Sequence, residues 1–411
     1  MAHDDLVVGL DIGTTSVIAV IAAIDEQGQP EILGLGKAPS FGLRKGVVIN
    51  IESTLQSVSL AIERAEQMAG RDVHSVYTGI AGGHIEGINS RGVVPITTRE
   101  REITQADMDR VIQTAKAVVI PMDRELLHVI PQEFIVDDQG GIKNPIDMIA
   151  VRLEAEVHII TGSVTSAQNL VKCINRAGFK VEQIVLESLA AGHAVLTEDE
   201  KELGVLLIDL GGGTTDALLY IEGAPYFTSV LSIGGAQVTG DISYMLKTPI
   251  EAAEKIKIES GVCHPLHVDE NEPVIIPAVG GRPPVRISQG DICEIVQPRM
   301  AEIFSMVRER VFVKGYRDRF AGGVVLTGGG AMMPGVVELA QDVFQAAARV
   351  GVPGSFGGPV AQYSSPEYAS VVGLMQYGFQ RRQANEGAIS PGDVQGSVIK
   401  RIGNWIRNFF E

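Results

Sequence analysis

The sequence predicts an α/β protein built as two similar halves that face each other across a cleft. Length and composition predict it first: 411 residues with 45% apolar content exceed what one compact core holds, so two large domains or several subdomains are expected. Glycine predicts it second, because many of the 47 glycines lie beside apolar, strand-like runs, as tight turns at a ligand require. The third observation is an internal echo. Residues 6–12 form an apolar run that ends at Asp11, and Gly13-Thr14-Thr15 follows. A second apolar run at 17–24, the polar turn Asp25-Glu26-Gln27-Gly28 and a third run at 31–35 complete the unit. Residues 204–233 repeat it: Leu206-Leu207-Ile208 leads to Asp209, then Gly211-Gly212-Gly213-Thr214-Thr215, an apolar run at 217–221, the turn Glu222-Gly223 and a third run at 226–233. Both segments read as strand, phosphate-sized turn, strand, turn, strand. Self-similarity at that separation points to two copies of one unit.

The remaining elements follow in order. A helix is expected over 52–69, a distinct segment over about 84–163, a helix over 165–178, and a helix over 183–196 that leads into the second half. Residues 248–308 read as helical stretches around a Pro/Gly-rich patch, Val279-Gly280-Gly281-Arg282-Pro283-Pro284. A strand from Gly323 to Leu326 meets Thr327-Gly328-Gly329-Gly330. Residues 383–396 are polar and contain Gly and Pro, the composition of a flexible linker, and the last fifteen residues, 397–411, read as an amphipathic helix.

The formal net charge of −16 argues against a general nucleic-acid binder. Cys173, Cys263 and Cys293 are odd in number and not at metal spacing, so they read as free thiols in a reducing cytoplasm. Met1-Ala2-His3-Asp4-Asp5 has no basic region followed by an apolar stretch, so no signal peptide is expected. No run of about 18 apolar residues predicts a membrane-spanning helix. No G-x-x-x-x-G-K-[ST], H-E-x-x-H or G-x-S-x-G occurs.

Asp11 and Asp209 each sit at a strand end beside a glycine turn. Glycines let backbone N–H groups approach phosphate oxygens and form an anion cradle. A carboxylate there repels phosphate unless a cation lies between, and magnesium held through water suits both. Gly13, Gly211, Gly212 and Gly213 supply the cradle, and Thr14, Thr15, Thr214 and Thr215 add hydroxyl donors. One Asp-x-Gly-Thr-Thr alone is as well explained by an ordinary hairpin; two copies and a third glycine turn favour a nucleotide. In that third turn Gly328, Gly329 and Gly330 let an adenine ring lie against bare backbone. Glu254 and Lys257, three apart on a helix, share one face and suit ribose hydroxyls; without the other motifs they would read as a solvated ion pair.

In this order the turns resemble the ATPase superfamily of actin, sugar kinases and heat-shock chaperones. The resemblance rests on Leu10-Asp11-Ile12-Gly13-Thr14-Thr15, Asp209-Leu210-Gly211-Gly212-Gly213-Thr214-Thr215-Asp216, Glu187-Ser188-Leu189-Ala190-Ala191 and Thr327-Gly328-Gly329-Gly330. A narrower resemblance is to the FtsA family of bacterial division proteins. It is carried by His128-Val129-Ile130-Pro131-Gln132-Glu133-Phe134, Gly141-Ile142-Lys143-Asn144-Pro145, Leu196-Thr197-Glu198-Asp199-Glu200, Val279 to Pro284 and Val325-Leu326-Thr327-Gly328-Gly329. It implies an actin-like (ribonuclease H-like) duplicated fold, two lobes of two subdomains around a nucleotide cleft, with a C-terminal amphipathic helix. The expected division is 1–83 with 164–193 and about 356–382 as the first large subdomain, and 84–163 as an inserted one that contacts later division proteins and neighbours in a filament. Residues 194–233 with 308–355 form the second large subdomain, and 234–307 the small one that takes the C-terminal tail of FtsZ. The resemblance implies ATP and Mg2+ as cofactors, at most weak turnover with Glu187 positioning water, and self-association. Ser188 stands where chaperone-like members often carry proline. The resemblance offers Arg299 as the contact for the tail, which is acidic and apolar, and an arginine fork suits a carboxylate.

The last segment carries chemistry of its own. Val398, Ile399, Ile402, Trp405, Ile406, Phe409 and Phe410 fall on one helical face, with Lys400, Arg401 and Arg407 opposite. Ser397 suits an N-cap, and Gly403 costs about 1 kcal/mol against alanine. Aromatic bulk opposite cations describes a helix lying in a membrane interface, drawn to anionic lipid. A terminal helix docked on its own core is the competing reading, but the linker and the local basicity favour lipid. A single such helix binds weakly, so firm attachment needs several copies on a filament. The expected place is the cytoplasmic face of the inner membrane at the division septum. Two alternatives are a sugar or acetate kinase of the same superfamily and the actin-like assembly protein of type IV pili.

Overall fold

The computed structural model describes residues 6–25, 28–97, 100–269, 271, 273–277, 283–360 and 362–386. Two five-stranded sheets carry the two halves. In the first, Val7–Ile12, Ser16–Ile24 and Pro30–Pro39 run antiparallel in succession, Ser75–Ile80 lies parallel beside Val7–Ile12, and Lys180–Leu186 lies parallel beyond it. In the second, Val205–Leu210, Thr215–Ile221 and Ala224–Leu231 repeat the antiparallel run, with Val324–Thr327 and then Ala348–Val350 parallel on the other side. The sequence echo is therefore a structural duplication. Val205–Leu210 and Thr215–Ile221 are buried at every position, which is why 205–208 and 217–221 read as continuous apolar stretches rather than as alternation.

Helix packing depends on missing side chains. Helix Ile51–Ala69 lies so close to the first sheet that a Cβ on Gly36 would stand 1.9 Å from the carbonyl oxygen of Ala61. Helices Glu187–Val195 and Ala369–Glu386 cross just as tightly, with a Cβ on Gly373 falling 1.7 Å from the carbonyl oxygen of Ala190. Only glycine permits either approach.

Between Ser75–Ile80 and helix Val164–Arg176 the chain builds a four-stranded antiparallel sheet in the order Glu86–Pro95, Arg152–Ser163, Arg124–Val136, Gln139–Ile142. Helix Gln105–Ala115 covers it and closes a separate core around Met108, Val111, Phe134 and Leu153. After the second half's third strand come helices Gly235–Leu246, Ile250–Ser260 and Gln289–Val313, with the hairpin Pro273–Ile276 and Val285–Ser288 between the last two.

Two expectations are corrected. Residues 183–186 are not helical: Lys180–Leu186 is a parallel strand, and the helix begins at Glu187. Val181, Ile184 and Val185 fit a helical spacing as well as a strand, and pairing with Ser75–Ile80 decides for the strand. The last helix runs through Glu386, into the expected linker, because Gln383, Ala384 and Glu386 are good helix formers. The rest of the linker, the segment 397–411 and residues Val279 to Arg282 lie outside the described residues. Among the described residues no helix is long and apolar enough to cross a membrane. Cys173, Cys263 and Cys293 are free and buried.

Candidate functional site

The ends of the two sheets enclose a cleft of about 720 Å³. It brings together Asp11, Gly13, Thr14, Thr15, Glu187, Asp209, Gly211, Gly212, Gly213, Thr214, Thr215, Glu254, Lys257, Gly328, Gly329 and Gly330. The two phosphate-sized turns meet edge to edge. A Cβ on Gly212 would lie 2.0 Å from Thr15 Oγ1, and one on Gly213 would lie 2.5 Å from Thr14 Oγ1. The second turn is tied to the helix after it: Gly235 N–H and Ala236 N–H donate to the carbonyls of Gly211 and Gly212 at 2.9 and 2.8 Å. Thr215 Oγ1 donates to the Ile233 carbonyl at 2.9 Å.

Glu254 and Lys257 face the same cleft from helix Ile250–Ser260. Lys257 Nζ stands 2.7 Å from Glu254 Oε2 and donates to Thr239 Oγ1 at 3.0 Å and to the Gly235 carbonyl at 3.3 Å. Thr239 Oγ1 also donates to Glu254 Oε2. The third glycine turn closes the cleft with Met332, Met333 and Pro334 beside it. Gly328 has φ +81°, a left-handed conformation open to glycine at little cost.

Carboxylates dominate the electrostatics. Burial, and then Asp209, raises Asp11 to about 7. Burial raises Asp209 to about 6 despite a hydrogen bond from Ser370. Asp216 and Glu187 are both held well above the usual carboxylate range, each by burial first and then by neighbouring acids. Glu187 opens the helix after Lys180–Leu186 and keeps an open edge on the cleft. Burial and the neighbouring acids thus favour its neutral form, and compensating their charge would favour the carboxylate that can accept a proton.

Two of the cleft's carboxylate oxygens are orphaned: Asp11 Oδ1 and Asp216 Oδ1 are buried without a hydrogen-bond partner among the described residues. A buried, unpartnered carboxylate oxygen is expensive and calls for a cation or donor. The donor set fits hydrated magnesium, a hard cation that prefers oxygen and keeps several waters. Among the described residues no three His, Cys, Asp or Glu side chains converge to cage a metal directly.

The structure adds cleft residues that the sequence reading did not single out. Asp216 follows the second turn and was visible in the motif itself. Lys37, Glu367 and Ser370 line the cleft from strand Pro30–Pro39 and from the chain entering the last helix, with no motif to flag them. Arg299 is not brought to the cleft. It lies on helix Gln289–Val313, whose Met300 and Ile303 do line it, and its guanidinium grips Asp241 through Nε at 2.6 Å and Nη2 at 3.1 Å, with Glu302 on the remaining nitrogen. Residues 398–410, expected from the sequence to meet a membrane, lie outside the described residues.

Comparison with known proteins decides the family. Residues 206–373 match the family described as Cell division protein FtsA, and residues 82–161 match the one described as SHS2 domain inserted in FTSA. The Cell division protein FtsA of Borreliella burgdorferi is 49% identical over 383 residues, 93% of each chain. The chain belongs to the FtsA family of cell-division proteins. That membership sets aside both the metabolite kinase and the pilus assembly protein. Among solved structures, a PilM-PilN type IV pilus biogenesis complex superposes with TM-score 0.65 at 16% identity, covering 90% of this chain and 98% of that one. MreB 5 of Spiroplasma citri bound to AMPPNP superposes with TM-score 0.58 at 14% identity, covering 94% and 100%. At such identities these likenesses show the fold alone, and the fold is the actin-like one expected of an FtsA-family chain.

Proposed function

We propose that this FtsA-family chain binds ATP with magnesium in the cleft, polymerises on the inner face of the cytoplasmic membrane and anchors the FtsZ ring there. The observation that carries the nucleotide reading is the placement of Asp11, Asp209, Asp216 and Glu187 around two abutting glycine turns, with two of their oxygens orphaned. Asp11 and Asp209 would hold the ion through water, and the ion would supply the charge compensation that lets phosphates lie beside carboxylates. Glycine turns then give backbone donors to the phosphates, Glu254 and Lys257 face the ribose, and Gly328 to Gly330 face the base. With Glu187 as the water-positioning residue, turnover is weak at most.

Outside the cleft, residues 234–307 take the FtsZ tail at Arg299, and 84–163 meet later division proteins. Lys400, Arg401 and Arg407 draw the terminal helix to anionic lipid at the septum, while its apolar face enters the interface. Calorimetry with ATP, with and without magnesium, tests the cleft: tight binding that needs the metal and collapses in Asp209→Ala supports the reading. Equal heats for the wild type and the variant would overturn it.

A further inference from the structure

Asp209 belongs to the second half, but what holds its side chain comes from the far end of the chain. Ser370, the second residue of helix Ala369–Glu386, is buried and donates its hydroxyl to Asp209 Oδ2 at 2.9 Å. The helix that presents it is rigidly seated in the first half. A Cβ on Gly9 would lie 2.5 Å from the Val371 carbonyl oxygen, and Gly373 meets the Ala190 carbonyl more closely still. Ser370 Oγ is therefore a fixed point, and the bond to Asp209 crosses from one half to the other.

The segment that enters this helix holds the rest of that corner. The Pro366 carbonyl accepts from Gly328 N–H and from Thr327 Oγ1, both at 3.1 Å. Glu367 pairs with Lys37 at 2.5 Å. Gly328 leaves room for the other oxygen, since a Cβ there would stand 2.2 Å from Asp209 Oδ1. With Oδ1 in the space that glycine leaves at 328, the bond from Ser370 to Oδ2 is what fixes the rotation of the Asp209 carboxylate.

We propose that Ser370 is a positioning residue for the metal-facing carboxylate of Asp209, so that the first turn of the last helix sets how well the cleft accepts a metal-bound nucleotide. The proposal rests on the magnesium-nucleotide reading of the cleft. A hydrogen bond to a charged group is among the stronger ones, and an aligned hydroxyl keeps the carboxylate from swinging out of register. The effect belongs to the metal arm of binding, because Ser370 touches the acid and not the glycine cradle.

The test measures nucleotide affinity by calorimetry in full-length wild type, Ser370→Ala and Ser370→Thr, with magnesium titrated and with chelator present. Ser370→Ala is expected to raise the magnesium concentration needed for half-maximal ATP binding by about tenfold, to leave metal-free ATP affinity unchanged, and to be rescued by threonine. An unchanged magnesium requirement in Ser370→Ala, or an equal loss with and without metal, would overturn the positioning role. If alanine does not give folded protein, the threonine variant with wild-type magnesium dependence beside a Ser370→Gly variant without it carries the same decision. Absence of magnesium-dependent ATP binding in the wild type would instead sink the reading of the cleft.

Discussion

His158 Nε2 stands 2.9 Å from Thr228 Oγ1, and this contact joins the inserted sheet to the second half. On the other ring nitrogen, Nδ1 lies 2.6 Å from Asn89 Oδ1, an acceptor, while Asn89 Nδ2 donates to the Tyr226 carbonyl at 3.1 Å and to Tyr316 Oη at 3.2 Å. The proton therefore sits on Nδ1, and Nε2 accepts from the threonine hydroxyl. Gln132 Nε2 adds a bond to the Pro225 carbonyl at 2.9 Å. The insert is joined covalently to the first half and by these polar contacts to the second.

An acid-sensitive stability follows from that joint. Burial lowers His158 to about 3, and His128, whose Nε2 accepts from the Leu186 N–H at 3.0 Å, also falls to about 3, by burial first and then Arg381 and His158. Their unfolded value is 6.5, so the unfolded chain takes up protons first. Stability is full above pH 6.5 and is lost as pH falls toward 3, at up to about 1.4 kcal/mol per pH unit for each histidine. His158→Gln should melt with a shallower slope between pH 6 and 4. A slope identical to wild type would show that the joint opens without charging the ring.

The cleft acids carry the opposite sign. Asp11 has its folded-state value raised from 3.8 to about 7, so its penalty to the nucleotide-free fold grows as pH rises from 3.8 through 7 and is complete above that. Asp11→Asn keeps the shape and removes the charge. Without nucleotide or metal it should be more stable than wild type at pH 8, on the order of 2 kcal/mol, with the gap closing near pH 4. Magnesium-ATP should raise the melting temperature of the wild type and leave that of Asp11→Asn unmoved. Denaturant melts at the two pH values check the first part, and thermal shift with Mg-ATP checks the second.

These contrasts show what the sequence made legible. The two glycine turns were readable because the residues that do the work, Asp11 with Gly13 and Asp209 with Gly211 to Gly213, lie close together in the chain, although the contacts that demand glycine at 212 and 213 come from Thr15 and Thr14 in the other turn. Asp216 was in the same run, and pairing across the strands from Asp209 puts it on the same face at the cleft. Ser370 could not be read, because a serine in an apolar helix acquires meaning only when Asp209, 161 residues earlier, comes within 2.9 Å. Strand Lys180–Leu186 was misread because its apolar spacing serves both periods and only pairing with Ser75–Ile80 separates them. The grip of Asp241 on Arg299 is another long-range pairing that composition does not announce.

The terminal segment makes a separate prediction about attachment. If 397–411 forms the proposed interfacial helix, Lys400, Arg401 and Arg407 should contribute about 1 kcal/mol each near an anionic surface. Deleting 397–411 should release the protein from anionic liposomes, and Lys400→Glu with Arg407→Glu should weaken binding and remove its salt dependence. Sedimentation with vesicles of graded anionic lipid measures both. Undiminished pelleting of the truncated chain would place the lipid contact elsewhere.

The Arg299–Asp241 fork turns the proposed tail contact into an exchange. Arg299 is partly exposed, at 29% of its side-chain surface, yet both arms of its fork already face a carboxylate. An incoming acidic tail must displace Asp241 to gain the same bidentate geometry, so the net gain is small while Asp241 remains. Asp241→Asn removes the charge that competes for the Nε and Nη2 edge and opens that edge to the peptide carboxylate, with Glu302 still on the remaining nitrogen. It should tighten binding of an FtsZ-tail peptide several-fold, about 1 kcal/mol, whereas Arg299→Ala should weaken it. Fluorescence polarisation with the labelled peptide distinguishes the outcomes. Weaker binding in Asp241→Asn would mean that Asp241 holds Arg299 in its productive orientation rather than competing for it.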